Sequence, residues 1–223
     1  YRFLWTHLKG MGRGLHFLSG KVFIILLAAL FLMGLYSSYF AAHIPGNVLE
    51  FMPHIFSLVG LMLILKAFAE RGDARGAWLF VMAGQLFITL SIALLNQKFG
   101  YIEILIYLSG SIISGIVGFI CLQKIKAIDD TIDLNQFHGY VYEQPLLGLI
   151  FLISCFGLVG LPFTPTFIGI DLLFSHIHKH EGLLIVFTAL SFVVIEVAIL
   201  RIYARVFIGQ HKKTYHAMAY RSS

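Results

Sequence analysis

A long apolar run in this chain is interrupted by the segment Gly160-Leu-Pro-Phe-Thr-Pro-Thr-Phe-Ile-Gly-Ile-Asp171. The segment holds two prolines, two glycines, two threonines and one carboxylic acid. In hydrocarbon, unpaired backbone groups cost several kcal/mol, and an Asp costs about 2.5–3.5 kcal/mol on insertion scales. Because such a segment is costly to bury in lipid, it is typical of a broken helix that lines a polar cavity or an ion path. We therefore predict a discontinuous membrane helix, broken near Gly160–Pro165.

The composition indicates an integral membrane protein. Of the 223 residues, 59% are hydrophobic and only 12% are charged, and the mean hydropathy is +0.87. Soluble domains are about 45–50% apolar and about 25% charged. The two cysteines, Cys121 and Cys155, lie in apolar runs and fit small buried residues better than a disulfide or metal framework. The sequence shows no nucleophile elbow, phosphate loop or haem motif, so soluble enzyme chemistry has little support.

Six apolar segments are long enough to cross a bilayer, which takes about 20 residues. They lie near residues 21–42, 52–70, 77–96, 101–123, 145–177 and 182–209. The fifth segment is too long for one straight helix and contains the break. The sequence thus predicts an all-α integral membrane protein with about six transmembrane helices, one of them broken.

The basic residues fall unevenly on the two sides of the membrane if successive segments cross. Only Lys98 and Lys179, of sixteen Lys and Arg, fall on one side. By the positive-inside rule, we expect both termini in the cytoplasm and the chain in the inner membrane. The net charge of +5 flanks the spans rather than forming one patch, which argues against a nucleic-acid partner. The other fourteen cations are Arg2, Lys9, Arg13, Lys21, Lys66, Arg71, Arg75, Lys124, Lys126, Arg201, Arg205, Lys212, Lys213 and Arg221.

Both ends are predicted to lie outside the transmembrane domain, which covers residues 20–210. Residues 1–19 mix aromatic and basic side chains such as Trp5 and Arg13, which is typical of an amphipathic interfacial segment. The frayed end of a truncated segment is an alternative interpretation of the same residues. Residues 211–223 are predicted to form a cytoplasmic tail.

The segment after the break is the first candidate functional site. Asp171 lies about a turn and a half beyond Thr166, where a helix could restart. A restarting helix presents free N–H groups that attract an anionic side chain, and Thr164 or Thr166 can cap them. This arrangement favours a proton or cation relay at Asp171. A bent helix in which Asp171 is satisfied locally is the structural alternative.

Three more polar residues lie within apolar spans. Glu196 is near the middle of the last span and needs a partner, from another helix or from a second subunit. A buried pair that only fixes packing is the alternative role for Glu196. Arg201 lies about 140° further round the helix, so we expect no pairing with Glu196, and its side chain can reach the cytoplasmic surface. Gln85 is a lone amide that either bonds a neighbouring helix or lines a wet path.

A His-x-His-x-His sequence, His176, His178 and His180, precedes the last span. On an extended strand these side chains would share one edge and could bind zinc, whereas a helix would spread them apart. A loop that titrates beside the path entrance and a plain polar loop are the other two interpretations. No metal site and no cofactor is predicted.

The segment Gly160–Asp171 resembles the broken helix of the antiporter-like subunits of respiratory complex I, which are related to the Mrp-type cation/proton antiporters. In that family, a Gly-hydrophobic-Pro-Pro pattern precedes a short polar stretch, a Phe, a small residue and ionisable groups at the outlet of a proton channel. Pro145-Leu-Leu147 is similar to the start of the same helix, and Asp129-Asp130 with Gly139 is similar to the loop before it. The resemblance is most specific over residues 129–174 and corresponds to the C-terminal half of such a subunit's core.

Several features depart from the family pattern, and the second proline of that pattern is replaced by Phe163, with Pro165 two residues later. Ile170 stands where the family often has a Lys before the acid. The fourth span contains neither His nor Lys over residues 102–123, whereas the family's central channel helix carries both.

The polar residues and the resemblance together imply a proton- or cation-translocating subunit that works with other membrane subunits. Asp171 would be the terminal relay group and Glu196 a second one, with further path residues at Gln85, Thr164, Thr166 and Arg201. Gly160, Pro162 and Pro165 would make the break. One alternative is the membrane subunit of an inorganic-carbon uptake system with a soluble zinc-containing partner, whereas a complex I-like assembly would bring redox subunits. A degenerate, non-conducting scaffold is the other alternative.

Overall fold

The structure is a computed structural model that describes residues 21–40, 45–95, 102–129, 132–175, 177 and 181–209. The predicted all-α fold is confirmed, because these residues form α-helices and no strand. The predicted interfacial segment 1–19 and tail 211–223 lie outside the described residues. The helices are α1 Lys21–Tyr39, α2 Gly46–Ala69, α3 Ala74–Leu95, α4 Ile102–Ile128, α5 Pro145–Val159, α6 Pro165–Ser175 and α7 Gly182–Val206.

The six predicted apolar segments correspond to α1, α2, α3, α4, the pair α5 and α6, and α7. Among the described residues, α2, α3, α4 and α7 are long and apolar enough to cross a membrane, by length and composition. α1 and α5 contain shorter apolar stretches, Ile24–Ser37 and Pro145–Val159. The fifth segment is divided because its helix stops midway, so neither α5 nor α6 has the length of a full span.

The helix break lies where the sequence predicts it, between α5 and α6. Gly160 ends α5 in the left-handed conformation, with φ 84° and ψ 59°, which glycine adopts without a Cβ penalty. The N–H groups of Gly160 and Leu161 both donate to the Phe156 carbonyl at 3.1 Å and close the end of α5. Pro165 begins α6, where its missing N–H costs nothing and its fixed φ suits a first turn.

The bundle is organised around α3 and α4. α3 packs against α1, α2, α4 and α7, and α4 holds both halves of the broken helix, α5 and α6. Buried side chains of α2–α5 and α7 form the main hydrophobic core. A second cluster, which includes Met52, Phe56 and Phe87, lies under α1. Because α4 touches both α5 and α6, the break is held against the interior of the bundle.

Candidate functional site

The C-terminal end of α5 is held by a side chain from α3. Gln85 is only 2% exposed, and its Nε2 donates to the Leu158 carbonyl at 2.9 Å. A helix leaves its last carbonyls without intrahelical partners, so this bond satisfies one group that the break releases. Of the two roles that the sequence leaves open for Gln85, the structure shows the bond to a neighbouring helix.

Two glycines let α6 approach α4 closely. A Cβ added at Gly110 would lie 2.7 Å from the Thr166 backbone nitrogen, and one at Gly169 would lie 2.5 Å from the Tyr107 Cα. Contacts this short to backbone atoms leave no room for a side chain. Small residues therefore set the distance between these helices, as is common within membranes. The contact also buries Thr166 and Tyr107 completely.

These contacts assemble a group of buried side chains that we call the break-side polar cluster: Gln85 and Thr89 of α3, Tyr107 and Ser111 of α4, and Thr166 of α6. The Tyr107 hydroxyl lies near the hydroxyls of Ser111 and Thr89, but neither contact has the geometry of a hydrogen bond. Three buried atoms of the cluster have no hydrogen-bond partner among the described residues: Gln85 Oε1, Tyr107 OH and Thr166 Oγ1. An unsatisfied buried polar group costs about 1–3 kcal/mol, so the cluster favours polar or hydrated contents.

The threonines do not cap α6 in the way the sequence predicts. The Thr164 hydroxyl donates to the Leu161 carbonyl at 2.8 Å and so closes the turn before Pro165. Thr166 is already the second residue of α6, and its hydroxyl faces Gly110 of α4. The two hydroxyls therefore serve the turn and the helix contact rather than the first N–H groups of α6.

Asp171 lies outside the break-side polar cluster. It follows Gly169 by two residues, which turns it about 160° away from the α4 contact. Its side chain is exposed, and no hydrogen bond or ion pair joins it to another described residue. Asp171 is also the seventh residue of α6, beyond the first turn in which free N–H groups could hold it. The structure thus places Gln85 against the end of α5 and Thr166 against α4, both buried, whereas Asp171 is exposed.

Glu196 and Arg201 lie on different sides of α7. Glu196 is exposed, whereas Arg201 is 8% exposed and donates to the backbone carbonyls of Phe68 and Glu70 at the end of α2. As predicted, the two residues form no ion pair. The Arg201 guanidinium is held at this end of α2 because the last carbonyls of α2 lack helical partners.

The end of α2 is further stabilised by an ion pair. Lys66 is 5% exposed, and its Nζ lies 2.9 Å from Glu70 Oε2. Burial opposes ionisation of Glu70, but hydrogen bonds from Lys66 and from the N–H groups of Gly72 and Arg71 prevail and lower its pKa. This charged junction belongs to the α2–α7 contact and not to the helix break.

Three residues of the cluster are not predicted from the sequence: Tyr107, Thr89 and Ser111. Tyr107 and Ser111 share one face of α4, at a spacing of four residues, and Gly110 lies beside them. An aromatic hydroxyl, a glycine and a serine on one helix face are the sequence pattern that could have indicated a buried polar site. The predicted histidine loop at His176, His178 and His180 lies outside the described residues, which contain no group of metal-binding side chains.

The comparisons with known proteins give one match. No curated protein and no solved structure is significantly similar to the chain. The family profile for the transmembrane part of the NADH:quinone oxidoreductase/Mrp antiporter proteins matches residues 22–196, most of the chain and both sides of the helix break. The resemblance read from the broken-helix segment is thereby confirmed. The chain belongs to this NADH:quinone oxidoreductase/Mrp antiporter family of cation-translocating membrane subunits.

Proposed function

We propose that the chain moves protons, or another small cation, along the break-side polar cluster and that Asp171 is the terminal relay carboxylate. The observation that carries this proposal is the set of buried, unpartnered polar atoms on Gln85, Tyr107 and Thr166, beside a broken helix. Buried polar groups of this kind bind ordered water, and water chains carry protons between hydroxyl and amide groups. Broken helices beside ion paths are a recurring device in transporters.

We expect Asp171 to lie at the membrane boundary, where it can exchange protons with water. The 15 residues of α5 and the first seven residues of α6 rise about 30 Å when laid end to end, at 1.5 Å per residue. That length matches the hydrocarbon thickness of a bilayer, about 30 Å. If α5 begins at one surface, Asp171 lies at the other, where a carboxylate meets water. Glu196 and Arg201 lie away from this route, so the proposal assigns transport to the cluster and to Asp171.

The decisive experiment replaces Asp171 in the assembled complex and measures cation flux in sealed vesicles. We expect Asp171→Asn to abolish flux while assembly stays intact, because Asn keeps the shape but cannot bind and release a proton. Asp171→Glu is the matched control and should retain most of the flux. Full transport by Asp171→Asn would refute the proposal. The scaffold alternative instead requires altered stability with unchanged flux.

We also infer that the chain acts beside other membrane subunits, as its family does. The soluble partner distinguishes the two conducting alternatives. A zinc-containing protein that co-purifies with the chain would favour inorganic-carbon uptake, and redox subunits would favour a complex I-like assembly. Metal analysis and peptide mass spectrometry of the purified complex separate these outcomes.

The inner membrane, with both termini in the cytoplasm, is the proposed location. The uneven charge distribution supports this location. Of the sixteen Lys and Arg, Lys98 and Lys179 are the two that fall on the predicted outer side. Under this orientation α5 begins on the cytoplasmic side, and Asp171 lies toward the outer surface.

A further inference from the structure

A regular row of aliphatic side chains covers the outer side of α7. The steps between its members alternate between three and four residues, which averages 3.5 and is the spacing of a seam between two packed helices. All of its members are exposed in this chain, although the opposite face of α7 packs against α2, α3 and α5. We call this row the α7 outer stripe: Leu183, Val186, Leu190, Val193, Val197 and Leu200.

One carboxylate lies beside the α7 outer stripe. Glu196 is the fifteenth of the 25 residues of α7, which places it about 21 Å from one end and about 15 Å from the other. It is exposed, and no described residue forms a hydrogen bond or ion pair with it. A carboxylate facing lipid at this depth costs about 2.5–3.5 kcal/mol on insertion scales. The group therefore requires a partner from beyond the described residues.

The basic residues of α7 do not supply that partner. The Arg201 guanidinium is bound to the carbonyls of Phe68 and Glu70. Arg205 donates to the Asn135 carbonyl at 3.1 Å, and its guanidinium lies 4.2 Å from the centre of the Phe137 ring. Both cations are engaged at the end of α7, so the charge at Glu196 is left uncompensated within the described chain.

Small residues line up with Glu196 along the same side of α7. Gly182, Ala189 and Glu196 follow one another at intervals of seven residues, and all three are exposed. Small residues at helix-repeat spacing let a second helix approach closely within a membrane. The exposed face of α4 is different, because between residues 112 and 120 its exposed side chains are all isoleucine. The α4 face suits lipid, whereas the α7 face suits another helix.

We propose that the α7 outer stripe is the binding surface for a transmembrane helix of a different subunit, and that this helix carries a Lys or Arg at the depth of Glu196. The cation and the Glu196 carboxylate would form an ion pair, so neither charge would face lipid. A second copy of this chain does not fit, because two-fold pairing would bring two Glu196 carboxylates together. The aliphatic members of the stripe and the two small residues would provide the packing around the ion pair.

A site-specific photo-crosslinker at Val193, in the whole complex in native membranes, tests the surface. The matched control places the same crosslinker at Ile116 on the exposed face of α4. We expect the probe at Val193 to yield an adduct with a membrane-spanning peptide that contains Lys or Arg, while the probe at Ile116 yields lipid adducts. Lipid adducts alone at Val193, an adduct with a second copy, or a spanning peptide without Lys or Arg would overturn the proposal.

Charge reversal tests the ion pair. Glu196→Lys should abolish the adduct at Val193, and Glu196→Gln should reduce its yield several-fold. Combining Glu196→Lys with replacement of the partner's Lys or Arg by Glu should restore the adduct. An adduct that survives Glu196→Lys unchanged, or a combination that restores nothing, would contradict the pairing. Folding failure is not a concern for Glu196→Gln, because the neutral amide costs less to insert in a membrane. The readout is subunit contact, so its outcome is independent of flux and of Asp171.

Discussion

One buried amide links the end of α5 to α3. Gln85 lies in the middle of an apolar helix, where a polar side chain is costly unless it is hydrogen-bonded. Its Nε2 satisfies the Leu158 carbonyl, which α5 releases by ending at Gly160. The break and Gln85 are therefore energetically coupled, although 73 residues separate Gln85 from Leu158.

Replacing Gln85 tests that coupling. Gln85→Leu keeps the size of the side chain but leaves the Leu158 carbonyl without its donor, so we expect a loss of about 1–3 kcal/mol in stability. The measurement is the thermal unfolding midpoint of the purified chain in detergent. Gln123→Leu is the control, because Gln123 is exposed at the end of α4 and its bond from Arg75 lies in solvent, so the change in stability should be less than about 0.5 kcal/mol. Equal midpoints for Gln85→Leu and the unaltered chain would contradict this role.

At the scale of helices, the break itself could be predicted, but the direction in which α6 faces could not. Gly160, Pro162 and Pro165 act on their own backbone, so their effect is written in the local sequence. The rotation of α6 is set by its contact with α4. Gly110 of α4 meets Thr166 of α6, and Gly169 of α6 meets Tyr107 of α4. That contact joins residues far apart in the chain.

The contact between α4 and α6 explains why parts of the site could not be predicted from the sequence. Asp171 was expected close to the new helix N-terminus, yet the rotation of α6 turns it outward. Tyr107 could not be assigned to the site from the sequence, because its four-residue spacing to Ser111 indicates a buried site only when α6 is known to cover that face of α4. Glu196 could be recognised as needing a partner from its position alone, since the cost of a mid-membrane acid is independent of tertiary contacts.

Closing the space between α4 and α6 should displace the broken helix. In Gly169→Ala the added Cβ would lie 2.5 Å from the Tyr107 Cα, a backbone atom that cannot move aside alone. We expect a destabilisation of about 1–3 kcal/mol from overpacking, and lower cation flux in vesicles if the break-side polar cluster is the path. Gly46→Ala is the matched control, since nothing lies within 4 Å of its added Cβ. An unchanged unfolding midpoint in Gly169→Ala would contradict the close contact.

At the scale of the whole molecule, a group of polar interactions lies at one end of the bundle, opposite the His54–Glu181 ion pair. Lys66 pairs with Glu70, and Arg201 bonds the last carbonyls of α2. The loop of residues 132–144 joins the same end, because the Leu134 N–H donates to the Arg71 carbonyl and the His138 N–H donates to the Arg205 carbonyl. Among the described residues, the Lys and Arg of α2, α4 and α7 also lie toward this end, as the uneven charge distribution predicts for one face of a membrane.

The orientation of the chain can be tested with cysteine labels at opposite ends of the bundle. Gly46 and Asn135 are exposed and are separated by α2, α3 and α4, so an odd number of crossings should place them on opposite sides. Because the natural Cys121 and Cys155 are buried, they should add little background. We expect a membrane-impermeant maleimide to label Gly46→Cys in intact cells and Asn135→Cys only in inverted vesicles. The reverse pattern would show that the charge distribution does not govern this topology, and labelling of both from one side would mean that one of the three helices does not cross.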